Sequence, residues 1–324
     1  MTKDCSTRTA VVILNWNKAQ LTAECVNSLS TMEGRYDIYV VDNGSERSNR
    51  EDLLEIIGRR ASIVVQQRDI DEAPPPEGDQ TSIVLVLLEK NYGYARGNNF
   101  ALRLAQRLGY RYSLVSNNDI KVTERHVLAE LIASLEKDPK AAWAAPRIVG
   151  IDDRDQGPYG SFSASDYLFY RGMFYPVYYP LYFCFLRRKE IAKALRLAEQ
   201  FRDGGLEPAW MPGCFMLLKN NALVVADNFD ESTFLYSEEE ILAARLRKKD
   251  LHLSYVPSVS ILHEHDPKER FDLRREYRVM KSKLYFLKTY RRMTSFQIFV
   301  AMISHAIWLV LYAPLIARLG RTSQ

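Results

Sequence analysis

Apolar and polar positions alternate in blocks along this chain rather than residue by residue. Ala10 to Leu14 form an unbroken apolar run that stops at Asn15-Trp16-Asn17, the mark of a strand buried on both faces. "YDIYVVDNGS" repeats the design, with Ile38 to Val41 as strand and Asp42 to Ser45 as a polar turn. Between the two, Leu21, Cys25 and Leu29 recur at helical spacing. "ASIVVQQ" and "SIVLVLLEKN" predict two more strands, and the proline-rich acidic stretch between them, "RDIDEAPPPEGDQ", predicts a surface loop. In "NYGYARGNNFALRLAQRLGYRYSLVSNND", Ala101, Leu104, Ala105 and Leu108 make one buried helix face. Tyr112 to Ser116 then reads as a short strand that ends on Asn117-Asn118-Asp119. "WMPGCFMLL" predicts a strand, "STFLYSEEEILAARLRKK" a turn leading into a helix, and "LSYVPSVSILHEH" a closing strand. Strands and helices that alternate in this way predict an α/β fold, a mainly parallel sheet with helices on both faces.

Two segments depart from the alternation. Tyr159 to Phe185 hold twelve aromatics, which suit either a hydrophobic mini-core or a wall that stacks on sugars or faces a membrane. After Asp266, Leu273, Tyr277, Met280, Leu284 and Leu287 set an apolar helical stripe against a basic face. Phe296 to Ala317 are then almost wholly apolar and long enough to span a bilayer. Gln297, Ser304, His305, Trp308 and Tyr312 fall on one stripe of that run and Pro314 interrupts it, which favours a helix in the interface or against a partner. Charge sharpens the division. From Asp266 onward there are 12 basic and 4 acidic residues, net +8, against 32 basic and 36 acidic before it, net −4. Such a tail suits an anionic surface. Its long apolar helix fits lipid rather than nucleic acid. The polar N-terminus has no apolar core of a signal peptide, and the four cysteines, widely spaced, predict reduced thiols in a cytosolic setting.

Carboxylates supply the candidate chemistry. Asp42 and Asp119 each follow a strand, where an open α/β sheet binds its ligands. Asp42 could accept a hydrogen bond from a base or ribose. Asp119 offers a hard oxygen suited to Mg²⁺ or Mn²⁺. Glu238 or Glu239, at a helix start, could serve as general base. A dinucleotide-binding dehydrogenase is excluded, because "LNWNKAQ" has no glycine after the first strand.

In order along residues 9 to 265, "VVILNWN", "IYVVDNGS", "NYGYARGNN", "SNND", "MPGCFMLL", "FDESTFLYSEEEILAARL" and "VPSVSILHEH" resemble the family 2 glycosyltransferases of GT-A fold, of the kind that build bacterial cell-surface glycans. The resemblance implies a GT-A domain over residues 1–265 and a helical appendage over 266–324. It implies nucleotide or donor contacts at Asn15, Asn17, Asp42, Asn91, Gly93, Gly97, Asn98 and Asn118, and a metal, Mg²⁺ or Mn²⁺, at Asp119 with His263 as helper. It implies Glu239 as catalytic base with Glu238 beside it. Two departures stand out. Asn117 occupies the place of the first acid of the family's Asp-X-Asp motif, and no Gln-X-X-Arg-Trp sequence marks a processive polymerase. The implied reaction is inverting transfer from a UDP- or dTDP-sugar to a glycan or lipid-linked acceptor. The expected place is cytoplasmic, on the inner face of the plasma membrane, through the tail. A homo-oligomer formed by the tail and a non-catalytic binding protein on the same fold are the alternatives.

Overall fold

A computed structural model describes residues 8–160, 206–265 and 272–307, together with Cys5, 196–197, 199–201 and Val310. The predicted strands form as β1 (Thr9–Asn15), β2 (Tyr36–Asp42), β3 (Ile63–Gln66), β4 (Ile83–Leu87) and β5 (Tyr112–Ser116). The predicted helices between them are α1 (Ala19–Leu29) and α3 (Tyr94–Arg107), and α2 (Arg47–Ile56) adds one whose weak apolar face gave no clear period. Next come β6 (Ile120–Val122), α4 (Val127–Lys137) and β7 (Ala141–Gly150). β8 (Phe215–Lys219), α5 (Asn220–Val225), α6 (Glu238–Lys248), β9 (His252–His263), α7 (Leu273–Thr289) and α8 (Ser295–Ile307) complete the order.

The strands make one sheet in the order β3-β4-β2-β1-β5-β8-β7-β9-β6. The first five are mutually parallel, and β8 runs antiparallel to both β5 and β7. β9 returns parallel to β7 and carries β6 at the edge. The unbroken apolar runs follow from this. Val12 and Val41 pack into one core while Val11, Ile13, Ile38 and Val40 pack into the other, on the opposite face. Successive strand side chains point to opposite faces, so a strand covered on both sides is apolar along most of its length. Each aliphatic side chain so buried contributes about 1.5–3 kcal/mol. β7 is alanine-rich and escapes strand propensity. It is recruited by β9, and their ladder shifts register between Pro146 and Arg147, where proline cannot donate.

The strand order reverses between β1 and β5, with β2 on the other side of β1. That reversal opens the crevice in which doubly wound sheets bind ligands.

α7 lies against α6 rather than apart from the body. Phe286, Leu287 and Met293 enclose Ile241. Asp230 Oδ2 accepts from the hydroxyls of Tyr285 (2.9 Å) and Tyr290 (2.5 Å), and Arg245 Nη2 stands 3.1 Å from it. These contacts hold the second half of α7. In its first half, Leu273 and Tyr277 of the expected stripe are exposed. α8 buries Ala301 and His305 and exposes Phe296, Phe299, Met302 and Ile303. Among the described residues no helix is long and apolar enough to cross a membrane. Most of the aromatic block and the end of the Phe296–Ala317 run lie outside the described residues, though Tyr159 stacks on Trp210 at 4.1 Å.

Candidate active site

At the carboxyl ends of β1 and β2 a buried polar chain runs sideways across the sheet. Asn118 Nδ2 donates to Thr22 Oγ1 (3.1 Å), and Thr22 Oγ1 donates to Asn15 Oδ1 (2.8 Å). Asn15 Nδ2 donates to Asp42 Oδ1 (3.0 Å), and Arg50 Nε donates to Asp42 Oδ2 (2.8 Å). Asn15 and Asp42 are wholly buried. Both oxygens of Asp42 therefore already accept one bond from within the chain, each keeping a second lone pair. Asn17, with φ 54, holds the next turn through its backbone N–H to Ser45 Oγ (2.9 Å) and its side chain, which accepts from the Glu46 N–H (2.7 Å). It lines a cavity of about 540 Å³ with Lys18, Asn49 and Asp52. Thr22 and Arg50 escaped the sequence reading, since a helix threonine and a surface arginine carry no signal until β1 and β2 are paired.

The glycine-rich segment is braced rather than loose. Asn43 Nδ2 donates to Asn91 Oδ1 (3.1 Å) and Gly93 O (3.0 Å), while Asn43 Oδ1 accepts from the Tyr92 N–H. Gly93 has φ +81, and a Cβ there would stand 2.1 Å from the carbonyl oxygen of Phe234. Only glycine allows the Phe234 backbone to come so close. At Gly97 a Cβ would lie 2.9 Å from Leu14 and 3.0 Å from Asn43. Asn98 is buried, its Nδ2 bound to Tyr94 O and its Oδ1 without a partner among the described residues.

Asp119 and His263 meet across the β5–β6 turn and the end of β9. Asp119 Oδ1 faces His263 Nε2 at 3.1 Å, and neither atom has another hydrogen-bond partner among the described residues. His263 Nδ1 is 2.6 Å from Gln156 Oε1, which places a proton on Nδ1. A neutral ring then aims its Nε2 lone pair at a carboxylate oxygen. Two acceptors so placed call for positive charge, either a proton on the ring or a cation. Burial pushes the Asp119 carboxyl up, but the hydrogen bond and charge of His263 outweigh it, and the group ends below its ordinary value. The donor set, one carboxylate and one imidazole, fits Mn²⁺ or Mg²⁺ as a partial shell. Among the described residues no group of three His, Cys, Asp or Glu is placed to hold a metal. Water or phosphate oxygens are the usual way such a partial shell is completed.

The acids of α6 converge on the same place. The Asn117 N–H donates to Cys214 O (2.9 Å), which ties the Asp119 turn to the strand entering β8. One residue earlier, the Gly213 N–H donates to Glu239 Oε1 (3.2 Å). A Cβ on Gly213 would come within 2.6 Å of that oxygen, so any larger residue there would displace the Glu239 carboxylate. The Tyr94 hydroxyl donates to Gly213 O (2.7 Å) and is pushed well up by burial and by the charges of Glu238, Glu239, Cys214 and Asp119. Glu239 is driven by burial up to about 7. Burial, with Glu239 next to it, raises Glu238 well above its ordinary value, and Glu238 Oε2 has no partner among the described residues. The preceding Tyr236 and Ser237 both have positive φ, 75 and 66, a strained entry that non-glycine residues rarely adopt. Gly213 and Tyr94 are the residues here that the sequence did not single out.

Residues 10–196 match the family described as Glycosyl transferase family 2. The structure is similar to the mannosyltransferase PcManGT from Pyrobaculum calidifontis in complex with GDP-Man and Mn²⁺, at 16% identity and a TM-score of 0.55. That likeness covers 97% of this chain and 73% of the other. TarS of S. aureus is similar at 13% identity and a TM-score of 0.50, over 93% of this chain and 43% of TarS. No curated protein matches the sequence.

Proposed function

The chain belongs to glycosyl transferase family 2 and has a GT-A-like α/β fold, and from that premise we propose that it is an inverting transferase acting from a nucleotide-sugar donor. The observation that carries this reading is the convergence of Asp119, His263 and Glu239 on one crevice, with a base whose pKa is near neutrality. A general base works best when its pKa lies near the working pH. Glu239 removes the proton from the acceptor hydroxyl as that oxygen attacks the anomeric carbon. The nucleoside diphosphate leaves from the opposite face and the configuration inverts. Glu238, kept protonated by burial, leaves Glu239 as the ionised member of the pair. Asp119 and His263 would hold Mg²⁺ or Mn²⁺, which when bound neutralises charge on the departing diphosphate. The Mn²⁺ and GDP-Man of the similar mannosyltransferase support a divalent ion and a nucleotide sugar here.

Asn15, Asn17, Asp42 and Asn118 shape the nucleotide side, and Asn91, Gly93, Gly97 and Asn98 the diphosphate and sugar side. Asp42 acts mainly by fixing Asn15 and Arg50. We assign the tail to the inner face of the plasma membrane. The exposed row Phe296, Phe299, Met302 and Ile303 follows exposed Arg291 and Arg292, a combination suited to an anionic lipid interface.

Hydrolysis and thermal shift with a panel of UDP-, dTDP- and GDP-sugars, with and without Mn²⁺, test the activity. Release of nucleoside diphosphate from one donor supports it. Binding of a donor with no turnover, alone or with any glycan acceptor, would favour the non-catalytic reading that Asn117 raises. A chain truncated after Thr294 keeps Met293 in its core and should leave the membrane fraction. A defined detergent-free oligomer with no liposome binding would make the tail an assembly element.

A further inference from the structure

Beside the glycine-rich segment lies a second cavity, of about 800 Å³, whose far wall is the first half of α7. Arg274, Arg278 and Lys281 fall at i, i+4 and i+7 and so share one stripe of the helix. All three are exposed and line this cavity, as does Arg96 from α3. Among the described residues its one carboxylate, Glu231, is already shared between Arg96 (3.5 Å) and Arg103. Arg274, Arg278 and Lys281 have no carboxylate partner among the described residues, although Arg278 stacks over the Phe234 ring at 5.4 Å. Next to these cations, Leu273 and Tyr277 are 59% and 57% exposed. Cations left unneutralised repel one another, and exposed large apolar side chains cost free energy. One ligand relieves both.

We propose that this cavity binds the lipid-phosphate portion of the acceptor, a phosphate or diphosphate ester on a long apolar chain. The phosphate oxygens take hydrogen bonds from Arg274, Arg278, Lys281 and Arg96, and the first part of the chain lies along Leu273 and Tyr277. The cavity stands next to the chemistry. Thr233 and Phe234 line it and lead directly into Ser237 and the Glu238–Glu239 pair. Ser282 Oγ donates to Leu235 O (2.7 Å), and Lys283 Nζ pairs with Glu240 (2.6 Å), so α7 is tied to the start of α6. A phosphate held on the α7 stripe therefore leaves the hydroxyl of an attached sugar, or of a short glycan, on the side of Glu239. Only the word acceptor rests on the glycosyltransferase reading; the lipid-phosphate site itself does not.

Calorimetric titration of the full-length protein with farnesyl diphosphate, inorganic pyrophosphate and farnesol tests the site. Farnesyl diphosphate should bind at least about tenfold more tightly than either of the others. The Arg274→Gln, Arg278→Gln, Lys281→Gln triple variant should lose at least about tenfold in that affinity, with unchanged thermal stability and unchanged hydrolysis of nucleotide sugar. Should the triple variant not fold, the single exposed changes Arg274→Gln and Lys281→Gln must each weaken binding. Pyrophosphate binding as tightly as farnesyl diphosphate would make this a free-phosphate site and overturn the proposal, as would unchanged affinity in the variants. A wild-type protein that turns over no nucleotide sugar would defeat the glycosyltransferase reading alone, because the titration requires no turnover.

Discussion

Carboxylates lie at both ends of the parallel sheet, and Asp37 at one end is served differently from Asp119 and Glu238 at the other. At the start of β2, Asp37 is wholly buried and fully served. It pairs with Arg8 through Nε (2.8 Å) and Nη2 (3.1 Å), accepts from the Tyr110 hydroxyl (2.8 Å) and caps the Ser82 N–H (2.9 Å). Across the sheet, at the carboxyl ends, Glu238 keeps an oxygen without a partner among the described residues, and Asp119 Oδ1 faces only a histidine nitrogen. A buried carboxylate with its hydrogen bonds complete stabilises the fold. One with bonds left open is tolerated at a cost, and sites that await a ligand or a proton are where such costs are found.

The sharpest way to break this contrast is Glu239→Gln. The amide keeps the shape and can hold the Gly213 N–H, but it cannot take a proton. Transfer should fall by about 10²–10⁴-fold with donor affinity retained, measured by steady-state kinetics and calorimetry. A variant within a few-fold of wild type would move the base to Glu238.

Asp37→Ala should do the reverse. It leaves Arg8 charged and buried, and breaking a buried pair costs about 3–5 kcal/mol. Denaturant unfolding should show that loss, while kcat of the folded fraction stays near wild type. A large change in kcat would erase the distinction between the two ends.

Asp119→Asn sharpens the contrast within the open end. A neutral amide is a poorer ligand for a hard cation, so apparent Mn²⁺ affinity in the assay should drop by at least the roughly 10–100-fold that losing an outer-shell partner costs. An unchanged metal titration would remove Asp119 from the metal site.

The smallest expected effect is in pH. Glu239 stands at about 7 in the folded chain, above the ordinary 4.5. Below 4.5 both the folded and unfolded forms are protonated, so the group contributes no difference. Between 4.5 and about 7 the folded state binds more protons, so this group lowers stability as pH rises, and above that window its effect is constant. Glu239→Gln should flatten that segment of the stability profile. In the wild type, kcat/KM should climb to a plateau above about pH 7 as the base ionises.

Much of this was legible in the sequence because local patterns determine it. Ala10–Leu14 and Ile38–Val41 read as strands covered on both faces, and Asp42 and Asp119 as residues at or just past strand ends, as the structure has them. Gly93 was legible only as part of a donor-binding motif, and the structure shows why glycine stands there: a φ of +81 and the close carbonyl of Phe234. Other elements gave no such sign. β7 is alanine-rich and becomes a strand only because β9 lies beside it. α7 showed its apolar stripe in sequence, but which half is buried depends on Ile241 and Asp230, far away in the chain. The same holds at the site. Residue type named Asp119 and the Glu238–Glu239 pair, and the family resemblance His263, whereas their convergence depends on β5 pairing with β8 and β7 with β9. A pKa near 7 for Glu239 is a product of burial, and it survives the opposing hydrogen bond from the Gly213 N–H, 26 residues away. Sequence periodicity determines which side chains point inward. Long-range strand pairing decides which of them meet, because contacts between distant residues depend on the whole sheet being assembled.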